Sequence, residues 1–256
     1  MWRIRLDAPG GWLTLEVRDA DLLQARFYTL RLPAGQLLEL KLPDPNTWWM
    51  GLEDVHDRVL YLHGYGDRKL GQHKGIRAFA ADSGIALWQQ PELAFYGIEE
   101  RGLLVSNISQ QGGELVLLES GYGKTIRNDI TQKEAADRVQ RYHKVRFGAV
   151  QYPHLYREGE TYYQQVHDFL VQELDCEPVN VLEYAETDTW LVVSYYRKTG
   201  ENKLDNFLAV FDLNGFLHLN ELLAGAMDGV GSDTFFIFMR SLYFVQNKTT
   251  LKAYSL

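Results

Sequence analysis

The chain has 256 residues, a single cysteine and a formal net charge of −8, from 34 acidic and 26 basic residues. Nucleic-acid binding normally requires a basic excess, which this chain lacks, and Cys176 alone cannot form an internal disulfide. No apolar run reaches the roughly 20 residues that span a bilayer, and residues 1–7 lack the apolar core of a secretory signal. We therefore expect a cytoplasmic protein with no nucleic-acid and no membrane partner.

Alternating apolar residues predict strands along most of the chain. In residues 12–18, Leu13, Leu15 and Val17 fall on one face, since side chains switch faces at every residue of a strand. This alternation predicts a half-buried strand. Similar runs follow at residues 59–62, 103–106, 190–196 and 242–245.

A repeat of 40–50 residues organises these strands. After each run come a hydrophilic loop, a second strand, a turn with glycine and a third strand, and the turn glycines are Gly35, Gly84, Gly121 and Gly215. We expect these glycines to supply the positive φ that such turns need. Four strands per repeat predict an all-β fold, a β-propeller of about five four-stranded blades in one domain, residues 1–256.

The predicted inner strands of the five blades are residues 4–6, 48–52, 93–98, 181–184 and 235–238. The last repeat has only three strands. Residues 2–6 either supply its missing outer strand, which would close the ring and remove two open edges, or form the inner strand of the first blade. The sequence leaves both open.

A two-helix insertion is predicted at residues 127–178, between the third and fourth blades. Thr131 and Glu134 have the spacing of a capping box, and a second helix is predicted over residues 160–174, after an aromatic, turn-prone link at 151–156. The first helix is basic and the second acidic. Either the two helices pair, or the basic one docks an acidic partner.

Residues 78–88 resemble the repeat of pyrroloquinoline-quinone (PQQ)-like propellers. Ala78, Ser83, Gly84 and Trp88 match that motif, whereas Ala80 replaces its aspartate. Quinone-dependent dehydrogenases are far longer and eight-bladed, so the resemblance implies the blade and not the cofactor. We expect no cofactor.

The chain as a whole is similar to an uncharacterised bacterial family, mainly from Bacteroidetes, that is known only as a domain of unknown function. The resemblance includes residues 48–52, 63–65, 73–76, 194–196 and 229–236. No activity comes with that family, so the resemblance implies none.

Long loops at residues 64–75, 107–113, 197–206 and 247–250 would share one rim of the propeller, where function tends to lie. We predict a non-catalytic binding or scaffolding module that presents this rim to a protein or small-molecule ligand. The predicted contact residues are His63, Tyr65, His73, Lys74, Tyr195, Tyr196, Arg197 and Lys198.

The second repeat contains three histidines that could bind a metal ion or an anion. His56, His63 and His73 have no short metal-binding spacing such as HxH or HExxH, so no metal site is predicted. An alternative is that His63, His73 and Lys74 grip an anionic ligand.

The alternative function is a hydrolase that acts on carbohydrate. It would use Glu99 or Glu183 with Asp233 as its acid and base or nucleophile. Such a pair requires two carboxylates about 5–10 Å apart in a channel open to solvent.

Overall fold

The computed structural model describes residues 1, 3–33, 35–44, 46–67, 71–108 and 113–256. The chain divides into two compact units, Met1–Ala149 and Val150–Leu256, and the boundary lies inside the predicted insertion. Within the described ranges, twenty strands form five small antiparallel sheets, each built from strands that are consecutive in sequence. In those same ranges no helix is long and apolar enough to cross a membrane.

The first unit contains three four-stranded sheets. Sheet 1 consists of β1 (Arg3–Asp7), β2 (Trp12–Asp19), β3 (Gln24–Arg31) and β4 (Leu37–Glu39). Sheet 2 consists of β5 (Met50–His56), β6 (Val59–Asp67), β7 (Gln72–Ala80) and β8 (Ala86–Gln90). Sheet 3 consists of β9 (Leu93–Glu99), β10 (Gly102–Asn107), β11 (Leu115–Leu118) and β12 (Thr125–Ile130). A 3-10 helix (Thr47–Trp49) precedes β5, and α1 (Gln132–Arg146) follows β12.

The second unit contains a five-stranded and a three-stranded sheet. Sheet 4 consists of β13 (His154–Arg157), β14 (Val181–Glu186), β15 (Trp190–Lys198), β16 (Leu204–Asp212) and β17 (Leu217–Met227). Sheet 5 consists of β18 (Phe235–Phe238), β19 (Ser241–Gln246) and β20 (Thr250–Ser255). The helix α2 (Thr161–Leu174) lies between β13 and β14 in sequence.

The first strands of sheets 1, 2, 3 and 5 fall on predicted inner strands, whereas the inner strand predicted at 181–184 is β14, the second strand of sheet 4. Two further predictions need correction. Residues 48–49 are not part of β5, because Thr47–Trp49 forms the 3-10 helix. The link predicted at 151–156 is wrong in part, since β13 pairs with β14 and gives sheet 4 a fifth strand. β1 pairs with β2, so residues 3–7 form the first strand of sheet 1. Trp2, the first residue of the predicted segment 2–6, lies outside the described residues.

Two of the turn glycines, Gly84 (φ +73°) and Gly215 (φ +84°), have the predicted positive φ, whereas Gly121 does not. At Gly35 a Cβ would lie 1.7 Å from the carbonyl oxygen of Arg31. Close approach of the backbone therefore restricts this position to glycine.

The predicted half-buried strand at 12–18 is buried on both faces. Leu13 and Leu15 are buried as expected, but so are Trp12, Thr14 and Glu16 between them. Trp12 belongs to a hydrophobic cluster that joins sheets 1 and 2. The strand forms where the alternation predicts it, but the face of β2 that carries Trp12, Thr14 and Glu16 is also buried, because sheet 2 packs on it.

Each helix packs on a sheet of its own unit. The Thr131 hydroxyl accepts from the Glu134 amide at 3.2 Å, as the capping box predicts, while the Glu134 carboxylate binds Arg127 and Arg138 instead of reaching back. In α1, Ala135 packs on sheet 3; in α2, Leu170 packs on sheet 4. Pairing of the helices and docking of an acidic partner both stay predictions.

Candidate functional site

Three strands of sheet 2 place polar side chains on one face. In the register, His63 lies opposite Gly51, and Tyr65 lies opposite His73. Glu53 follows Gly51 by two residues, so it shares that face. Residues 64–67 and 72–75 belong to β6 and β7, which means that most of the loop predicted at 64–75 is strand; residues 68–70 lie outside the described part of the chain.

Two imidazoles meet one carboxylate oxygen. Oε1 of Glu53 lies 2.7 Å from Nδ1 of His73 and 2.9 Å from Nδ1 of His63. The two imidazole rings are stacked, with centroids 3.5 Å apart. Tyr65 lies edge-on to both rings, and Trp49 lies edge-on to Tyr65 at 6.1 Å. We call Glu53, His63 and His73 the Glu-His-His cluster.

His63 is buried without the hydrogen bonds that burial usually demands. Its exposed fraction is 1%, and among the described residues its ring nitrogens make no hydrogen bond of regular geometry, although Nδ1 lies 2.9 Å from Oε1 of Glu53. Nε2 is packed against Gly51, where a Cβ would lie 2.5 Å away. An unsatisfied buried polar group costs about 1–3 kcal/mol. In contrast, about a third of the His73 side chain is exposed (36%).

The electrostatics of the cluster favour an ionised Glu53 carboxylate beside a neutral His63 imidazole. Burial raises the pKa of Glu53, but the neighbouring imidazoles of His63 and His73 lower it by more, and it lies below its ordinary value. Burial lowers the pKa of His63, and the adjacent Glu53 only partly offsets this effect. Glu53 therefore carries a buried negative charge, and the His63 ring keeps a free lone pair.

Side chains of sheet 1 hold the backbone of β5 in place. Arg5 Nε donates to the carbonyl oxygen of Glu53 at 2.8 Å, and the amide of Leu52 donates to Glu16 at 2.8 Å. Arg18 donates to two further carbonyls of this segment. The backbone of β5, which carries Glu53, is therefore held in place by polar contacts with sheet 1.

The structure brings together three of the four predicted site residues of the first unit. His63, Tyr65 and His73 are neighbours, as described above. Lys74 is engaged elsewhere, because its ammonium pairs with Glu92 at 3.1 Å. Glu53, which is not among the predicted contact residues, lies between the two histidines. An ionised carboxylate between the two histidines disfavours the direct grip on an anion that was considered for these residues.

The predicted residues of the second unit divide into buried and exposed pairs. Tyr195 and Tyr196 are fully buried; the first donates to Asn220, and the second accepts from the amide of Gly231. Their side chains therefore offer no surface to a ligand. Arg197 and Lys198, at the end of β15, are exposed.

The carboxylates of the hydrolase alternative have structural partners. Glu99 is buried and accepts from the Arg101 amide at 3.0 Å and from Arg138 at 3.4 Å. Glu183 is 1% exposed and accepts from the backbone amides of Asp233 and Thr234, the latter at 3.0 Å. These oxygens bind groups of the chain itself, and the hydrolase alternative stays a prediction.

The Glu-His-His cluster has the donor set of a transition-metal site. One ligand atom from each residue can be chosen so that all three lie within 4.8 Å of one another, and within the described ranges no other group of three does so. Imidazole nitrogen and carboxylate oxygen are common zinc ligands, and bonds of about 2.0–2.2 Å place tetrahedral ligands roughly 3.4 Å apart. Metal binding would therefore widen the cluster slightly and turn the half-exposed His73 ring out of its stack on His63.

Comparison with known proteins gives a partial family match. Residues 6–88 match the model of a family described as a domain of unknown function (DUF4905). The matched span includes the whole Glu-His-His cluster. It supports the predicted resemblance to an uncharacterised family, while the PQQ-like repeat and the bacterial origin stay predictions. No curated protein matches the chain.

Two solved structures of an exo-β-1,3-galactanase from Phanerochaete chrysosporium, with β-1,3-galactotriose, show a low similarity to the chain. The identities are 10% and 9%, each with a TM-score of 0.29. The alignments cover 92% and 85% of this chain but 51% and 48% of the galactanase chains, so this chain spans about half their length. Similarity at this level adds nothing to the fold or the function.

Proposed function

We propose that the protein is a non-catalytic binding module that holds one divalent transition-metal ion, zinc by its donor set, at the Glu-His-His cluster. One observation carries the proposal: His63 is buried, its ring nitrogens make no hydrogen bond of regular geometry to the part of the chain that the structure describes, and its Nδ1 lies beside a second imidazole and an ionised carboxylate. A cation is the group that would use all three donors at once.

Charge supports a cation rather than an anion at this place. The buried carboxylate of Glu53 has two imidazoles beside it, and its ion pairs within the described residues include no arginine or lysine. A buried charge is costly unless it is paired or coordinates a metal. A divalent ion would supply the missing charge, whereas an anion would add to the repulsion.

The proposal is tested by titrating the tag-free, chelator-treated protein with zinc chloride in a calorimeter. We expect one zinc ion per chain, and at least a tenfold loss of affinity in Glu53→Gln and in His73→Ala. The matched control is His167→Ala. This histidine of α2 also lies beside two carboxylates, Asp168 and Glu177, but both carboxylates are exposed, unlike that of Glu53. Equal zinc binding by the wild type and both cluster variants would contradict the proposal.

We also infer that the five sheets are the blades of one propeller that spans residues 1–256, with residues 127–178 inserted between the third and fourth blades. The order of the sheets along the chain and the first strands of sheets 1, 2, 3 and 5 support this inference, while the end of β12 and the whole of β13 lie within residues 127–178. Arg197 and Lys198 stay candidates for contact with a protein or small-molecule partner. A cytoplasmic location stays an expectation from composition.

A further inference from the structure

We propose that the metal at the Glu-His-His cluster keeps one exchangeable coordination position, through which the site binds a small carboxylate-type anion. This inference rests on the proposed metal site and goes beyond it, because it names the class of ligand that the loaded site takes. It also assigns the metal-free protein no affinity for that ligand.

The count of donors leaves a position open. Zinc in proteins is usually four-coordinate, and sites with three protein ligands hold water or an exchangeable ligand in the fourth position. Glu53, His63 and His73 supply three donors, and no fourth histidine, cysteine, aspartate or glutamate joins their group within the described ranges.

Packing determines where the open position faces. His63 is buried, and its Nε2 side is filled by Gly51. The backbone of β5 is covered by the arginines of sheet 1, among them Arg5. His73 is the one exposed member of the cluster, so solvent reaches the metal from its side. An incoming ligand would enter there.

Two aromatic side chains stand beside this entrance. Tyr65 contacts the rings of both histidines edge-on, and Trp49 contacts Tyr65; both aromatic residues are partly buried. Apolar walls lower the local dielectric constant and so strengthen the attraction between a metal ion and an anion. They would also pack against the carbon atoms that carry a carboxylate.

The change of charge on metal binding explains why the anion would need the metal. The acidic member of the cluster is Glu53, whose carboxylate repels an anion, and a divalent ion bound to that carboxylate reverses the sign of the local charge. Bound cations are often the largest local charge in a site and invert its preference for ligands. His63 and His73 would then take part in anion binding indirectly, as ligands of the metal.

The test uses the full chain loaded with cobalt(II), whose visible absorption reports the coordination of the metal. Sodium azide is the first probe and sodium acetate the second. We expect one bound cobalt per chain, with a saturable spectral change on addition of either anion and no loss of cobalt. Calorimetry on the metal-free protein should show at least tenfold weaker azide binding.

The outcomes separate the two proposals. Cobalt bound at one per chain with a spectrum that neither anion changes would overturn the open position and leave the metal site standing. A spectral response that appears only in Tyr65→Phe would also overturn it, since the tyrosine would then be the fourth ligand. No cobalt binding would overturn the metal site itself, and the open position with it.

Discussion

At the scale of single residues, the room for the His63 ring depends on Gly51. A Cβ at position 51 would lie 2.5 Å from both Cε1 and Nε2 of His63, closer than real contacts allow. In Gly51→Ala we expect His63 to be displaced, zinc affinity to fall at least tenfold, and the free energy of unfolding to fall by about 1–3 kcal/mol. Zinc calorimetry and urea unfolding measure the two effects.

The matched control for this substitution is Gly229→Ala. A Cβ at position 229 meets no atom within 4 Å, and the φ of Gly229 is not positive. We expect it to leave both zinc affinity and stability unchanged. Undiminished zinc binding by Gly51→Ala would show that the position of His63 is not set by this contact.

A second histidine, His56, couples stability to pH. Burial, and then the nearby charge of Arg146, lowers the pKa of His56 to about 4, while Asp57 and Asp54 oppose this shift. The ring lies edge-on to Tyr142. Since the unfolded chain binds this proton near pH 6.5, the contribution of neutral His56 is complete above pH 6.5 and is lost as the pH falls toward 4.

We therefore expect His56 to account for a loss of about 3 kcal/mol in the free energy of unfolding between pH 6.5 and pH 4. Urea unfolding of the wild type and of His56→Gln across this range isolates the effect, because Asp7, whose pKa is raised by burial, is present in both proteins. Parallel pH profiles for the two proteins would contradict this assignment.

At the scale of secondary-structure elements, α1 is anchored by one buried arginine near its end. Arg146 is 4% exposed and donates to both oxygens of Asp54, at 2.8 and 2.9 Å, and to the carbonyl of Leu6 at 2.9 Å. Asp54 lies in β5 and Leu6 in β1. One guanidinium thus ties the helix to two sheets of its unit.

We expect Arg146→Met to lower the free energy of unfolding by about 3–5 kcal/mol, because it leaves a carboxylate of β5 without its partner. Arg141→Met removes an exposed arginine of the same helix and should change stability by less than about 0.5 kcal/mol. Urea unfolding compares the two variants. Similar stabilities would show that the buried ion pair does not anchor α1.

The sequence pattern predicts most of the strands and the start of α1, but not every element. Alternation located the strands because each has an apolar face, and the Thr131 cap located the start of α1 because its hydroxyl meets a free amide. β13 was missed because a four-residue strand with Pro153 just before it gives no alternating pattern. Its place is set by pairing with β14, which is a tertiary contact.

The candidate site was predicted only in part, for the same reason. His63 and His73 are ten positions apart in sequence, and they meet because the β6–β7 hairpin folds one strand against the other. Glu53 reaches them from a third strand, at a point where the register shifts. Sequence motifs for metal ligands describe donors within one short segment of the chain, so they do not detect three donors that lie on three different strands. The register of all three strands would have revealed them.

At the scale of the whole molecule, the repeat predicts one propeller, whereas the chain divides into two compact units. A single domain would unfold cooperatively, with equal calorimetric and van't Hoff enthalpies. We expect one such transition for the full chain in differential scanning calorimetry. Two separate transitions, reproduced by fragments 1–149 and 150–256 expressed alone, would contradict the single propeller.

The central claim is that the Glu-His-His cluster binds zinc, and X-ray absorption at the zinc edge of the loaded protein tests it most directly. We expect about four light-atom ligands near 2.0–2.1 Å, two of them imidazoles, and no sulfur. A decrease of the imidazole scattering from two rings to one in His73→Ala would place the ion at the cluster. A spectrum with no imidazole contribution, or one that this substitution leaves unchanged, would contradict the account.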